Sequence, residues 1–248
     1  KRGDDIQFCF SNRQCTAVKK FEIVRRMNNE KYIPALRYDW LTGFYDPVVA
    51  LTTRENAFKN ALADQAGIAA GHRTLDLGCG TATLSILLKQ KQPNAVIVGI
   101  DGDAKILQIA KKKAHKAGVE ITFDEGLSCD LPYEDESFDR VVSSLFFHHL
   151  SRESKLETLR EVNRVLKPDG EFHVADWGLP TSPLMRGASY LIQFLDGFET
   201  TADNFNGLLP RLITDAGFSL VEETVHFNSV FGTIRLHKCS RQVILEDK

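Results

Sequence analysis

The sequence predicts an α/β fold built on a doubly wound, mainly parallel sheet. Three observations carry this. Between Arg73 and Trp177, short apolar runs alternate with stretches of helical spacing. The connections between them are short, which implies parallel strands with helices on both faces. The strands are also near-continuously apolar, as strands buried on both sides are. At 248 residues, 43% hydrophobic and 26% charged, the chain suits one large domain or one domain with a small appendage.

The elements follow in order. RTLDL, from Arg73 to Leu77, is a short buried strand, followed by a glycine-rich turn and a helix over Thr81 to Gln90. AVIVGID, from Ala95 to Asp101, is a strong apolar strand ending in an acid, and a lysine-rich helix follows over Ala104 to Ala117. VEITFDEG is the third strand and FDRVVSSLFF, from Phe138 to Phe147, the fourth. A charged helix spans Arg152 to Leu166, and GEFHVADWG is a fifth strand opening on a Pro-Asp-Gly turn. From Leu179 to Phe205 the alternation breaks, and an insertion over the sheet is expected. It returns with a helix near Leu208 to Ala216, and strands near Ser219 to Thr224 and Thr233 to Lys238 suit a closing hairpin.

Upstream, residues 1–70 read as an irregular, mildly basic lid, with an amphipathic helix at Lys19 to Asn28, turns in Arg37 to Val48, and a helix from Thr53 to Ala66 ended by Gly67. The expected organisation is a lid over residues 1–70 and a core over 71–248 with an insertion at 179–207.

Charge and composition narrow the function classes. With 31 basic and 33 acidic residues the formal charge is −2, so no bulk field draws the chain to nucleic acid or an anionic membrane. The run Lys111 to Lys113 reads as a solvated helix face. No apolar run approaches the roughly 18 residues that span a bilayer. The five cysteines, Cys9, Cys15, Cys79, Cys129 and Cys239, show no CxxC spacing. They read as free thiols of a reducing compartment, which makes a cytoplasmic setting the expectation and leaves no metal required. The first residue is Lys1, which leaves the true N-terminus open.

LDLGCGTAT, from Leu75 to Thr83, sits at a strand-to-helix junction. Gly78 and Gly80 permit a tight turn and close approach of a ligand to the backbone. Asp101, 21 positions after Gly80, ends the next strand, where a carboxylate accepts ribose hydroxyls and repels a phosphate, disfavouring NADP. The third glycine of a dinucleotide fingerprint is missing. Asp76, two residues before Gly78, works against a pyrophosphate and favours a cationic ligand. S-adenosylmethionine is such a ligand; an NAD-binding oxidoreductase is the alternative.

With LDLGCGT, VGIDGD, LPYEDESFDRVVSSLFFHHL and LREVNRVLKPDGEFHVADW in view, the sequence resembles the class I S-adenosylmethionine-dependent methyltransferases. More narrowly, it resembles the branch related to ubiquinone/menaquinone C-methyltransferases (methyltransferase type 11). The resemblance implies a Rossmann-like seven-stranded sheet with the last strand antiparallel. It implies that Asp76, Gly78, Cys79 and Gly80 lie along the methionine portion of the cofactor, that Asp101 and Gly102 meet the ribose, and that Ser128 and Cys129 lie near the adenine. Ser143 and Ser144 would sit close to the methionine portion, with Tyr38 closing over its carboxylate. Two departures from the pattern stand out: Ala82 replaces a frequent glycine, and Leu127 replaces a frequent adenine-binding acid, a contact that passes to a backbone group or Asp130.

His148 or His149, after the fourth strand, is a candidate base for a hydroxyl or carbon acid. Adjacent histidines are expected to point in different directions. Asp176, ending the fifth strand, is a candidate to orient the acceptor or to cap the next segment. Asp196 and Glu199 read as caps or surface residues. Tyr38, Trp40, Phe44, Tyr45, Tyr190, Phe194 and Phe198 either line an apolar acceptor pocket or pack the lid's own core. The expected reaction is methyl transfer to a small, apolar or aromatic molecule at carbon or oxygen, with no nucleic-acid partner and the oligomeric state open. A cofactor-binding protein without turnover is a further alternative.

Overall fold

A computed structural model describes residues 54–241, all within the compact unit of residues 40–248. The expected helix at Lys19 to Asn28, and Cys9, Cys15, Tyr38, Trp40, Phe44 and Tyr45, lie outside the described residues.

Helix α1 (Glu55–Ala66) ends at Gly67, whose φ of 53° closes the last turn. Then come β1 (Arg73–Leu77), α2 (Thr83–Lys91), β2 (Val96–Asp101), α3 (Ala104–Lys116), β3 (Thr122–Glu125) and β4 (Phe138–Ser144). A 3-10 turn (Phe147–His149) leads to α4 (Arg152–Val165), β5 (Leu166–Gly178), α5 (Pro183–Asp196), α6 (Phe198–Phe205), α7 (Leu209–Asp215), β6 (Phe218–Ser229) and β7 (Gly232–Arg241). Asp103 caps α3 by accepting from the N–H groups of Lys105 and Ile106, and Ser151 caps α4 through Ser154 N–H. The cap at the start of α3 is thus Asp103, which leaves Asp101 for other work.

The sheet has seven strands in the order β3-β2-β1-β4-β5-β7-β6. β1 to β5 are mutually parallel, and β7 runs antiparallel to both β5 and β6. One core packs Leu75, Leu77, Ile100, Val141 and Phe172 against α4 and α7. The other packs Val142, Ala175 and Trp177 against α1 and α2. The strand order reverses between β1 and β4, and the crevice at their C-terminal ends is the ligand position of open α/β sheets.

Three elements differ from expectation. β3 shrinks to four residues. The Pro-Asp-Gly segment lies inside β5 as a bulge: the pairing steps from Phe138↔Leu166 to Arg140↔Glu171 around a proline that has no N–H to give the ladder. The insertion after β5 folds into two helices, parted at Gly197 with a φ of 100°. Among the described residues no helix is long and apolar enough to cross a membrane.

Candidate active site

The crevice is built first from the turn after β1. Gly78 and Gly80 take φ of 68° and 53°, and Ala82 follows at 66°. The N–H groups of Gly78 and Cys79 both donate to the Ile100 carbonyl at 3.0 Å, tying the turn to β2. A β-carbon on Gly78 would stand 2.3 Å from the Phe146 ring, whereas one on Gly80 would meet nothing within 4 Å. Ala82 holds a left-handed conformation that costs a non-glycine residue about 1 kcal/mol.

Asp101 clamps this turn. Its Oδ2 accepts from Gly80 N–H at 2.9 Å and its Oδ1 from Asp103 N–H at 3.0 Å. Burial pushes its pKa up, against those backbone bonds. The half-buried carboxylate retains acceptor capacity for hydroxyl donors.

Asp76 is buried to 1% exposure and accepts from Ser85 Oγ at 2.5 Å. Burial raises its pKa to about 6, opposed by the Ser85 bond and the charge of Lys59. Lys59 is paired with Glu55 at 2.5 Å on α1. The sequence reading did not single out this pair. Nor did it give Lys113 its part: the ammonium donates to Thr81 Oγ1 (2.9 Å) and Thr83 Oγ1 (3.1 Å), so one member of the lysine run holds the start of α2.

Other expected cofactor residues divide by side-chain engagement. The Cys79 thiol is buried beside Gly99, where an added β-carbon would lie 3.0 Å from the sulfur, and burial raises its pKa. Ser143 Oγ donates to the Leu77 carbonyl at 3.0 Å, stitching β4 to β1. Ser128 shares a 2.8 Å hydrogen bond with Thr158 of α4. Cys129 is half-buried, its thiol pKa raised by burial. Ser144 Oγ, at the end of β4, is buried and has no hydrogen-bond partner among the described residues.

The far wall of the crevice is the joint after β4. Leu145 sits at φ 53°. Asp176, at the end of β5, holds the joint: Oδ2 accepts from the N–H groups of Phe146 (3.1 Å) and Phe147 (2.7 Å). Its Oδ1 accepts from Trp177 N–H (2.7 Å) and lies 2.7 Å from His148 Nδ1. Asp176 is therefore engaged on four sides and buried, a positioning residue. A proton on Nδ1, donated to Asp176, leaves the His148 lone pair on Nε2, 3.6 Å from Asp196 Oδ2.

His149 lies beside His148 with ring centroids 3.9 Å apart, so the adjacent histidines do not diverge: the tight 3-10 turn keeps them together. Burial and the charges of its neighbours hold His149 well below the usual histidine pKa. Asp196 is no surface residue either, with a side chain 24% exposed. Tyr190, Phe194 and Phe198 are 54%, 75% and 52% exposed, so among the described residues these aromatics form no packed lid core.

A seven-stranded doubly wound sheet with one antiparallel strand, and a glycine turn clamped by an acid from the next strand, define a nucleoside-cofactor-binding α/β protein. The comparisons narrow this. Residues 74–170 match the family described as methyltransferase domain. A demethylmenaquinone methyltransferase of Lactobacillus johnsonii is 33% identical over 135 residues, covering 53% of this chain; the chain spans 54% of that relative's length. A methyltransferase of Synechocystis sp. is 29% identical over 191 residues, covering 77% of this chain and 87% of the relative. Among solved structures, the YcgJ protein of Bacillus subtilis superposes with a TM-score of 0.63 at 20% identity, over 75% of this chain and 99% of that one. Residues 74–170 thus carry a methyltransferase domain, and the match to the Lactobacillus relative supports S-adenosylmethionine as its cofactor.

The residues present fit that cofactor. Gly80 faces open space, Ser144 offers an unpartnered hydroxyl, and Asp101 keeps acceptor sites. Asp76 places an ionisable acid where a cation favours its charged form.

Proposed function

We propose that this chain transfers a methyl group from S-adenosylmethionine to a small, apolar or aromatic acceptor, at carbon or oxygen. One observation carries this reading: the glycine turn clamped by Asp101 lies against the turn after β4, Gly78 beside the Phe146 ring, and that second turn carries a histidine pinned by Asp176. When bound, the cofactor supplies an electrophilic methyl group on a sulfonium. Asp76, Gly78, Cys79 and Gly80 would hold its methionine end, with Ser143 and Ser144 beside them. Asp101 and Gly102 would hold the ribose, and Ser128 and Cys129 would border the adenine. The chain's contribution is alignment and exclusion of water.

On the acceptor side, Asp176 keeps the Nδ1 proton of His148 in place, so the Nε2 lone pair is presented to the acceptor. His149, held neutral by burial, lines the same wall and is the weaker base. The exposed apolar side chains of α5 and α6, among them Leu191, Phe194 and Phe198, support an apolar acceptor. So does the Lactobacillus relative, whose name gives demethylmenaquinone as its substrate; a quinone-like ring is the first acceptor class to try.

The test is calorimetric titration with S-adenosylhomocysteine, with NAD as comparison. Micromolar binding is expected, weakened roughly tenfold by Asp101→Ala, about the 1.4 kcal/mol of one good contact. Because Asp101 also clamps Gly80, the melting temperature of the variant is measured alongside. Binding of NAD in place of S-adenosylhomocysteine would overturn the reading. Release of S-adenosylhomocysteine from S-adenosylmethionine with a hydroxylated naphthoquinone separates an enzyme from a cofactor-binding protein without turnover.

A further inference from the structure

We propose that His148, His149 and Asp196 form a binding site for one divalent transition-metal cation on the acceptor side of the crevice. One ligand atom from each residue lies within 4.8 Å of the other two. His148 Nε2 and Asp196 Oδ2 are 3.6 Å apart, too far for a good hydrogen bond. Two ligands of a tetrahedral ion with bonds near 2.05 Å stand roughly 3.4 Å apart, so this pair already has ligand spacing. His149 supplies the third donor of the set.

The surroundings suit a cation. His148 Nδ1 is bonded to Asp176 at 2.7 Å, the carboxylate–histidine arrangement that orients a ligating imidazole and keeps its Nε2 lone pair available. Asp196 occupies the C-terminal end of α5, where the helix dipole is negative, and the last turn has no basic residue. Asp176 adds a second negative charge behind His148. The neighbouring cations are committed elsewhere: Lys155 Nζ donates to the Thr200 carbonyl at 2.6 Å and stands 3.7 Å from Asp203, which also pairs with Arg152.

The donor set selects the ion. Two imidazoles and one carboxylate suit Zn²⁺, Fe²⁺ or Co²⁺, whereas Mg²⁺ and Ca²⁺ prefer all-oxygen shells. Three protein ligands leave positions open, and these suit an oxygen of the acceptor, whose hydroxyl a cation acidifies. This use deepens the methyl-transfer reading and rests on it: with the cation bound, the His148 lone pair is a ligand, and the cation takes over the activation of the acceptor hydroxyl from the base. The cation site itself needs neither cofactor nor acceptor.

The experiment uses the full chain without an affinity tag, stripped with chelator. Co²⁺ is titrated by visible absorption and Zn²⁺ by calorimetry, on wild type, Asp196→Asn and His149→Gln, with circular dichroism confirming that each variant is folded. The expected result is one Co²⁺ per chain at micromolar affinity or tighter, with ligand-field bands that Zn²⁺ displaces. Each variant weakens binding at least tenfold, and Asp196→Glu, which keeps a carboxylate should Asn misfold, retains it. Absence of saturable binding overturns the proposal. So does binding unchanged in the variants. Titration with S-adenosylhomocysteine on the same samples tells failure of the cation site from failure of the methyl-transfer reading.

Discussion

Asp76 shows how one side chain couples burial to ligand chemistry. It is shut off from water, and burial lifts its pKa to about 6 even though Ser85 donates to it and Lys59 lends positive charge. A cationic ligand group beside it favours the carboxylate, so binding below that pKa must release a proton. S-adenosylhomocysteine carries an ammonium at its methionine end. Its affinity is therefore expected to be level from about pH 7 to 8 and to fall below about pH 6, approaching tenfold per pH unit. Asp76→Asn should bind more weakly at neutral pH and lose this dependence. Calorimetry across the range checks both points; equal wild-type affinity on the two sides of pH 6 would remove Asp76 from the cofactor.

At the scale of elements, the site is a contact between two turns, one after β1 and one after β4. Gly78 and Phe146 are where they touch. Gly78→Ala meets two costs: a left-handed φ, about 1–2 kcal/mol, and overpacking against the ring, about 1–3 kcal/mol. In a Phe146→Ala background only the first remains. Urea unfolding of the four proteins of this cycle is expected to give a coupling of about 1–3 kcal/mol; additivity would mean the turns do not press on each other. The strands were legible because AVIVGID is apolar on both faces, RTLDL sets Leu75 and Leu77 on one, and the turn residues between them are unambiguous. The Gly78–Asp101 half of the site was legible for the same reason, since consecutive elements bring it together. The Asp176–His148 half was readable only as two separate candidates. Their bond depends on the register Ser144↔Ala175 between neighbouring strands, which no local pattern specifies. Asp196 was read as a cap because nothing in FLDGFETTADN reveals that the end of α5 lies over His148. The loss of alternation after Leu179 marked the insertion, but its helical periodicity was masked by the apolar residues it exposes.

For the molecule as a whole, acid stability is a balance between groups at opposite places in the sheet. Asp76 has a folded pKa above its unfolded value, so the native state binds the extra proton, and its contribution to stability grows as pH falls through about 6. His173, inside β5 and bonded to Gln65, has its pKa lowered by burial from 6.5 to about 4. Here the unfolded state binds the extra proton, and stability is lost as pH falls below 6.5. Between about pH 7 and pH 5, Asp76 adds about 1 kcal/mol and His173 removes about 2 kcal/mol, from 1.36 kcal/mol per unit. Asp76 thus offsets about half of the His173 loss. His149 and His237, also lowered by burial, add to the loss. Urea unfolding at the two pH values should show a modest acid loss in the wild-type chain. Asp76→Asn removes the compensating gain, so its acid loss should be larger by about 1 kcal/mol; His173→Gln should lose about 2 kcal/mol less than wild type. Parallel losses in all three proteins would mean that neither buried group sets the pH response, and that surface carboxylates govern it instead.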